Sequence, residues 1–170
     1  SPHPKDFQEE LADAIRDLRT VCEQMHLPLQ SGSNAVLRRM RRWYTREKFL
    51  EKVEMLRSRV PEAALSTDLI VGFPGETDAD FEDTLEMVRE VEFDLMYTFK
   101  YSPRPGTPAA QYDNQLPDDV RRERLRTLLK VQEKISHTKQ AGLVGSEQEV
   151  LIEGRHPREP GCWMGRTRGN

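Results

Sequence analysis

Cysteine, long apolar runs and excess positive charge are all scarce in this sequence. The 170 residues include only two cysteines, Cys22 and Cys162. They show no CxxC spacing, so neither a zinc site nor a disulfide framework is indicated. No apolar run approaches the roughly 20 residues that cross a bilayer, and the first residues lack the apolar core of a secretion signal. We therefore expect a soluble, cytoplasmic protein with no membrane partner.

The charge balance limits how the chain can bind nucleic acid. Its formal net charge is -3, although 32% of its residues are charged. A surface of mixed sign gives no overall attraction to a polyanion. Any nucleic-acid site must therefore be a local patch.

Apolar residues recur with the spacing of strands that alternate with helices. Strands are predicted at residues 21–29, 64–71 and 93–101. Helices are predicted at residues 7–20, to about 40, to about 59, to about 92 and at 117–140, the first four capped by Asp6 with Glu9, Ser33, Thr45 and Thr77. The second strand ends in an unbroken apolar run, which is typical of a parallel sheet covered on both faces. The pattern predicts β/α units in a parallel sheet, open or closed into a barrel.

The sequence pattern changes after Gly145 from that of a helix to that of strands. Residues 147–153 and 162–167 read as two further strands, separated by the turn-forming RHPREPG. They predict the start of a small β-domain after the long helix. Cys22, next to an apolar strand, is expected to be a buried packing residue.

The second strand runs into the turn Gly-Phe-Pro-Gly-Glu at residues 72–76. Ligands of parallel sheets bind at the carboxyl ends of the strands, and Gly72 would let the main chain approach a flat ligand closely. The alternative is that any β/α unit needs a turn and a cap, which on this stretch alone is the better explanation. Neither GxGxxG nor GxxxxGK[ST] is present.

Three motifs in order carry a family resemblance. They are HLPLQSGS at residues 26–33, DLIVGFPGETDADFEDTL at residues 68–85 and YSPRPGTPAA at residues 101–110. Together they resemble the radical S-adenosylmethionine methylthiotransferases. The resemblance covers nearly the whole chain.

The resemblance implies an α/β fold, part of a six-stranded (β/α)6 partial barrel with parallel strands. A small antiparallel TRAM β-domain, OB-like in character, follows in that family. Residues 1–140 would then be the latter part of the barrel with its trailing helix, and residues 141–170 the beginning of TRAM. The family's CxxxCxxC is absent, so we expect this chain to be a fragment of a longer protein and inactive alone.

The resemblance also implies an activity. Its nearest members methylthiolate carbon 2 of N6-dimethylallyl-adenosine beside the anticodon of tRNA, using S-adenosylmethionine, two 4Fe-4S clusters and an electron donor. Sister enzymes act on threonylcarbamoyl-adenosine in tRNA or on a ribosomal-protein aspartate. A non-catalytic tRNA-binding module is an alternative of another class, and a CxxxCxxC upstream of this chain would favour the enzyme.

The candidate cofactor-binding residues follow from the matching motifs. The resemblance implies main-chain contacts to the adenine along the end of the second strand, at Ile70, Val71, Gly72 and Phe73. Gln30 and Ser31 close the HLPLQ strand, where an amide and a hydroxyl suit the ribose or the methionine part of the cofactor. For Ser31, a purely structural role at the strand end is equally good. No residue is assigned as catalytic or as a metal ligand.

The candidate tRNA-binding residues are arginines. Arg104 lies between two prolines in SPRPGT, so its guanidinium is restrained for a phosphate or a base. An exposed loop arginine without a role explains it equally well. Next to Trp43 and Tyr44 lies a cluster that combines charge with stacking surfaces, made of Arg38, Arg39, Arg41 and Arg42. A solvated helical face would have much the same sequence.

Overall fold

The computed structural model describes residues 2–169, and Ser1 and Asn170 lie outside that range. Two short 3-10 helices, Pro4–Asp6 and Pro108–Gln111, accompany the longer elements. The α-helices are α1 (Glu9–Asp17), α2 (Asn34–Arg39), α3 (Arg46–Arg59), α4 (Asp78–Val91) and α5 (Asp118–Gly142). The strands are β1 (Gln24–His26), β2 (Ala64–Val71), β3 (Leu95–Lys100), β4 (Val150–Arg155) and β5 (Trp163–Thr167).

The first three strands form a parallel sheet in the order β1-β2-β3. Met25 lies opposite Leu65, and Ile70 lies opposite Phe99. Helices connect the successive strands, which confirms the predicted β/α units. β1 is much shorter than the predicted strand, and the regular ladder ends beyond Leu27, because the Leu29 amide donates to Thr67 Oγ1 at 2.9 Å and not to a main-chain carbonyl. Pairing resumes at Gln30, which bridges Leu69.

The helices cover one face of this sheet. Side chains of that face are buried against α3, α4 and α5, and they include Met25, Leu65, Leu69, Val71 and Met96. On the other face Tyr97 and Phe99 are 49% and 55% exposed. The expectation that both faces are covered is therefore not met within residues 2–169.

Side chains cap three of the helices as the sequence predicts. Ser33 Oγ accepts from the Val36 amide at 3.3 Å and Thr45 Oγ1 from Lys48 at 3.4 Å. Thr77 and Asp80 form a reciprocal capping box at the start of α4. These caps depend only on residues within one turn of each other, so the sequence reveals them.

The predicted capping box of Asp6 and Glu9 is wrong. Asp6 belongs to a 3-10 helix that begins at Pro4 and is capped by His3, and α1 begins at Glu9 without a side-chain cap. Phe7 separates the two helices in extended conformation and is fully buried. Cys22 is also wrongly predicted, since it is exposed ahead of β1.

The antiparallel hairpin of β4 and β5 follows α5, and Val150 pairs with Thr167. After β5 the chain returns to the start of β1, where Arg168 Nε donates to Glu23 Oε2 at 2.7 Å. None of the helices in the described range combines the length and the apolar character needed to cross a membrane.

Candidate functional site

A cleft of about 240 Å³ opens at the carboxyl ends of β1 and β2. Gln30, Ile70 and Phe73 form its floor at the strand ends. Its other walls come from the turn after α2 and from the loop after β3, namely Arg39, Met40, Arg41, Arg42, Thr107, Pro108, Ala109 and Tyr112. The parallel sheet thus places the cleft where such sheets bind ligands.

Gln30 is held in an unusual backbone conformation at the floor of the cleft. Its φ is 68°, in the left-handed region that residues other than glycine rarely adopt. The neighbouring strand fixes it, because its amide donates to the Asp68 carbonyl at 2.8 Å and its carbonyl accepts from the Ile70 amide at 3.0 Å. The side-chain amide has no hydrogen-bond partner anywhere in the described chain. Strain of this kind clusters at ligand sites.

Hydrogen bonds to Glu76 hold the turn after β2 against α5. The Gly72 amide donates to Glu76 Oε1 at 2.8 Å, and Arg124 of α5 donates to the same oxygen at 2.6 Å. Both side chains of this ion pair are buried, and burial raises the pKa of Glu76 against the effect of its hydrogen bonds. Arg124 also binds the exposed Asp78 at 2.6 Å. The pair therefore fastens the turn to α5.

Gly72 does not present an open main-chain edge on every side. A Cβ at this position would clash with Cγ of Arg121, which packs over the turn from α5. The carbonyl of Val71 accepts from the Tyr101 amide at 2.8 Å. Gly72 itself does not line the cleft, whereas Ile70 and Phe73 on either side of this strand end do.

Ser31, Val71, Arg38 and Arg104 do not line the cleft. Ser31 is fully buried, and its hydroxyl accepts from the Ser33 amide at 3.2 Å and lies 3.4 Å from Thr84 Oγ1. Val71 faces the helices, whereas Arg38 and Arg104 are exposed. The contacts of Ser31 are those of a residue with a structural role at the strand end.

The arginines are brought to the cleft by the way α2 ends. Arg41 has a φ of 56°, and the Arg42 amide donates to the Leu37 carbonyl at 2.9 Å. This is the Schellman motif, which reverses the chain and is usually made by glycine. Only Arg38 and Arg39 belong to the helix itself. A solvated helical face therefore does not describe this cluster.

Tyr44 anchors the same turn to the segment that follows β1. Its hydroxyl lies 3.0 Å from both the Pro28 and the Leu29 carbonyls, to which it donates its one proton. Burial raises the pKa of Tyr44 to about 12. The buried phenol therefore has a structural role. The neighbouring Trp43 is 82% exposed.

Sequence reasoning missed the wall formed by Thr107, Ala109 and Tyr112, and it missed the Glu76–Arg124 pair. A signal for the pair was present, because Arg124 lies four residues before Leu128 and so shares its buried stripe. For the wall the signal was the motif YSPRPGTPAA at residues 101–110, which includes Thr107 and Ala109, whereas Tyr112 lies beyond it.

A polar cluster occupies the uncovered face of the sheet. His26 Nδ1 lies 3.0 Å from Ser66 Oγ, Nε2 lies 3.4 Å from Asp68 Oδ2, and the ring contacts Tyr97 edge-on. Within residues 2–169, no three His, Cys, Asp or Glu side chains are grouped so as to hold a metal ion.

Comparisons with known proteins agree on one relationship. The model of the radical SAM superfamily matches residues 1–88. Proteins called tRNA-2-methylthio-N(6)-dimethylallyladenosine synthase are 54% identical in Moorella thermoacetica and 53% in Caldicellulosiruptor saccharolyticus, each over 99% of this chain. A third, from Pelotomaculum thermopropionicum, is 49% identical over 99% of this chain. The chain spans only 36% to 38% of the length of these relatives.

A solved structure supports the fold. Coproporphyrinogen III oxidase (HemN) from Escherichia coli, described as a radical SAM enzyme, superimposes with a TM-score of 0.58. The match covers 85% of this chain and 33% of that protein at 22% identity, so it bears on the fold alone.

Proposed function

The chain belongs to the radical SAM superfamily, and we propose that its protein methylthiolates carbon 2 of N6-dimethylallyl-adenosine in tRNA. Support comes from relatives of that name that are 49% to 54% identical over 99% of this chain. The partners of such a reaction are tRNA and an electron donor, and its place is the cytoplasm.

The observation that carries the proposal is the strained Gln30 at the floor of the cleft. A side-chain amide without a partner, next to the apolar Ile70 and Phe73, suits a ligand with a flat base and polar substituents. Arg39 and Arg42 at the wall suit a carboxylate. These residues fit S-adenosylmethionine.

S-adenosylmethionine, when bound, supplies radical chemistry and a methyl group. The residues of this chain bind and orient it. Gln30 provides hydrogen bonds, Ile70 and Phe73 exclude water from one side of the base, and the Glu76–Arg124 pair fixes the turn that carries Phe73. The described residues do not fit an iron–sulfur cluster, because no three suitable ligands are grouped among them.

The domain assignment is part of the proposal. Residues 1–140 would form part of the barrel, and residues 141–170 the beginning of TRAM. The parallel order of β1, β2 and β3 and the change to the antiparallel pair β4 and β5 support this division. The arginines beside the cleft would contact tRNA.

Ligand binding to this chain tests the cofactor site directly. We expect S-adenosylmethionine to bind in equilibrium dialysis and Gln30→Ala to weaken it by about tenfold, the effect of one or two lost hydrogen bonds. Gln24→Ala is the matched control, since Gln24 is an exposed glutamine of β1 that does not line the cleft. Equal losses in both variants would reject the site.

The activity is tested with the intact protein. Anaerobic reconstitution with iron and sulfide, followed by mass spectrometry of tRNA nucleosides, should reveal 2-methylthio-N6-dimethylallyl-adenosine. Recovery of the unmodified nucleoside alone would contradict the proposed function.

A further inference from the structure

We propose that Trp43 is a stacking platform for an unpaired RNA base next to the cleft. This inference rests on the proposed function, which makes RNA the substrate class. The indole is 82% exposed and follows directly on Arg41 and Arg42, which line the cleft. Aromatic side chains beside a positively charged groove are how proteins bind single-stranded nucleic acid.

The platform is rigidly held. Before Trp43, the Arg41 and Arg42 amides close the Schellman turn on Arg38 and Leu37, at 3.0 and 2.9 Å. After it, Tyr44 is buried and hydrogen-bonded to the segment that follows β1, at Pro28 or Leu29. Trp43 is thus an exposed aromatic residue between two fixed neighbours, and little conformational entropy is lost when a base stacks on it.

Three of the four arginines around Trp43 form no ion pair within the part of the chain that the structure describes. In the described range no carboxylate lies within 4.0 Å of Arg38, Arg41 or Arg42. Arg39 donates to the Pro74 carbonyl at 3.2 Å. The arginines of α5 differ, because each of them forms an ion pair: Arg121, Arg122, Arg124 and Arg126. Unpaired guanidinium groups in a chain of net charge -3 are complementary to an external anion.

Single-stranded RNA fits this combination better than a protein partner or duplex RNA. Phosphates match the clustered arginines, and a free base matches the indole. In a duplex the bases are already stacked, so that their faces are closed to an aromatic side chain. The occupant we infer is therefore a loop nucleotide of the bound RNA.

Fluorescence of Trp43 tests the inference. Trp163, the other tryptophan, is replaced by Phe so that Trp43 alone emits. We expect quenching by an RNA stem-loop with an unpaired loop, and little by a fully paired RNA duplex of equal length. Trp43→Ala should weaken stem-loop binding by about tenfold while Trp43→Phe retains most of it.

The controls separate this inference from the proposed function. Leu129→Ala removes a comparably apolar, 48% exposed side chain on α5 and should leave affinity unchanged. Arg41→Gln should weaken binding of stem-loop and duplex alike. If the stem-loop binds in an arginine-dependent way but Trp43→Ala has no effect, stacking is overturned and the proposed function stands. If no RNA binds, the assignment of RNA to this surface is overturned as well.

Discussion

At the scale of single residues, Gln30 combines a strained backbone conformation with a side-chain amide that forms no hydrogen bond within residues 2–169. A residue with a Cβ at positive φ loses about 1–2 kcal/mol relative to the right-handed regions. The structure retains this conformation because main-chain bonds to β2 impose it. Gln30 lines the cleft in this conformation, and its side-chain amide has no hydrogen-bond partner among residues 2–169.

Gln30→Gly should therefore separate stability from binding. Glycine adopts the φ of 68° without steric strain, which stabilises the folded state. Glycine also loses more conformational entropy on folding, and this destabilises the protein by roughly the same free energy. We expect the free energy of unfolding to change by less than about 1 kcal/mol, while S-adenosylmethionine binding weakens by about tenfold, as in Gln30→Ala, because the same amide is lost.

Chemical denaturation and dialysis measure the two effects. Leu29→Ala, at a fully buried neighbour in the core, is the contrasting variant and should lose about 2–5 kcal/mol. A comparable loss in Gln30→Gly would show that its side chain is structural.

At the scale of elements, helix α4 begins with a carboxylate that receives several hydrogen bonds. Burial alone would raise the pKa of Asp80, but hydrogen bonds from Ser33 at 2.5 Å and from Thr77 outweigh it and hold this pKa below its usual 3.8. A carboxyl group whose pKa is lowered by folding stabilises the protein above its unfolded pKa, and this stabilisation is lost as the pH falls.

Asp80→Asn should consequently destabilise the chain in a pH-dependent way. We expect a loss of about 1 kcal/mol at pH 7, the usual value of a helix cap. The difference from the wild type should narrow as the pH falls below 3.8. Urea denaturation between pH 3 and 7 checks this, with the exposed Glu90→Gln as control. A difference independent of pH would contradict the electrostatic explanation.

Helix α5 and the turn after β2 depend on each other through a buried charge pair. Arg124→Met leaves Glu76 buried without its counter-ion, which typically costs about 3–5 kcal/mol. The double variant Glu76→Gln/Arg124→Met should recover part of this loss, because the glutamine oxygen still accepts from Gly72 and no charge is buried, although its amide nitrogen replaces Oε2, which has no partner among the described residues.

Thermal and chemical denaturation of the single and double variants provide the measurement. Arg126→Met is the matched control, since Arg126 forms an exposed pair with Glu123 and should contribute less than about 1 kcal/mol. If Arg124→Met were no more harmful than Arg126→Met, the pair would not fasten the turn.

At the scale of the whole molecule, charge is distributed unevenly. The chain carries 29 acidic and 26 basic residues other than histidine. Ion pairs neutralise the arginines of α5, whereas Arg38 near the end of α2 and Arg41 and Arg42 in the turn after it form no ion pair with any residue from 2 to 169. A protein of net negative charge thereby presents one basic surface beside its cleft.

RNA binding should therefore be strongly salt-dependent despite the net charge. Each phosphate contact adds to the slope of log affinity against log salt, so Arg38→Gln and Arg42→Gln should each lower this slope by about 1. Arg122→Gln, on α5, should leave it unchanged, because that arginine is already paired with Asp118. Filter binding of the stem-loop at several salt concentrations measures the slopes. Equal slopes for Arg42→Gln and Arg122→Gln would contradict a local basic surface.

The sequence by itself determined the alternation of strands and helices and three of the helix caps. These features depend on neighbours within one helical turn or on strict periodicity, which a sequence displays directly. The predicted start of α1 is wrong because the chain forms a separate 3-10 helix that begins at Pro4.

Only the tertiary structure decided which candidate residues meet. Arg124 reaches Glu76 across 48 positions of sequence, and Ser31 reaches Thr84 across 53. Such contacts depend on how helices pack on the sheet, and packing is not encoded in local spacing. For the same reason the sequence placed four arginines together but could not say which of them face the cleft.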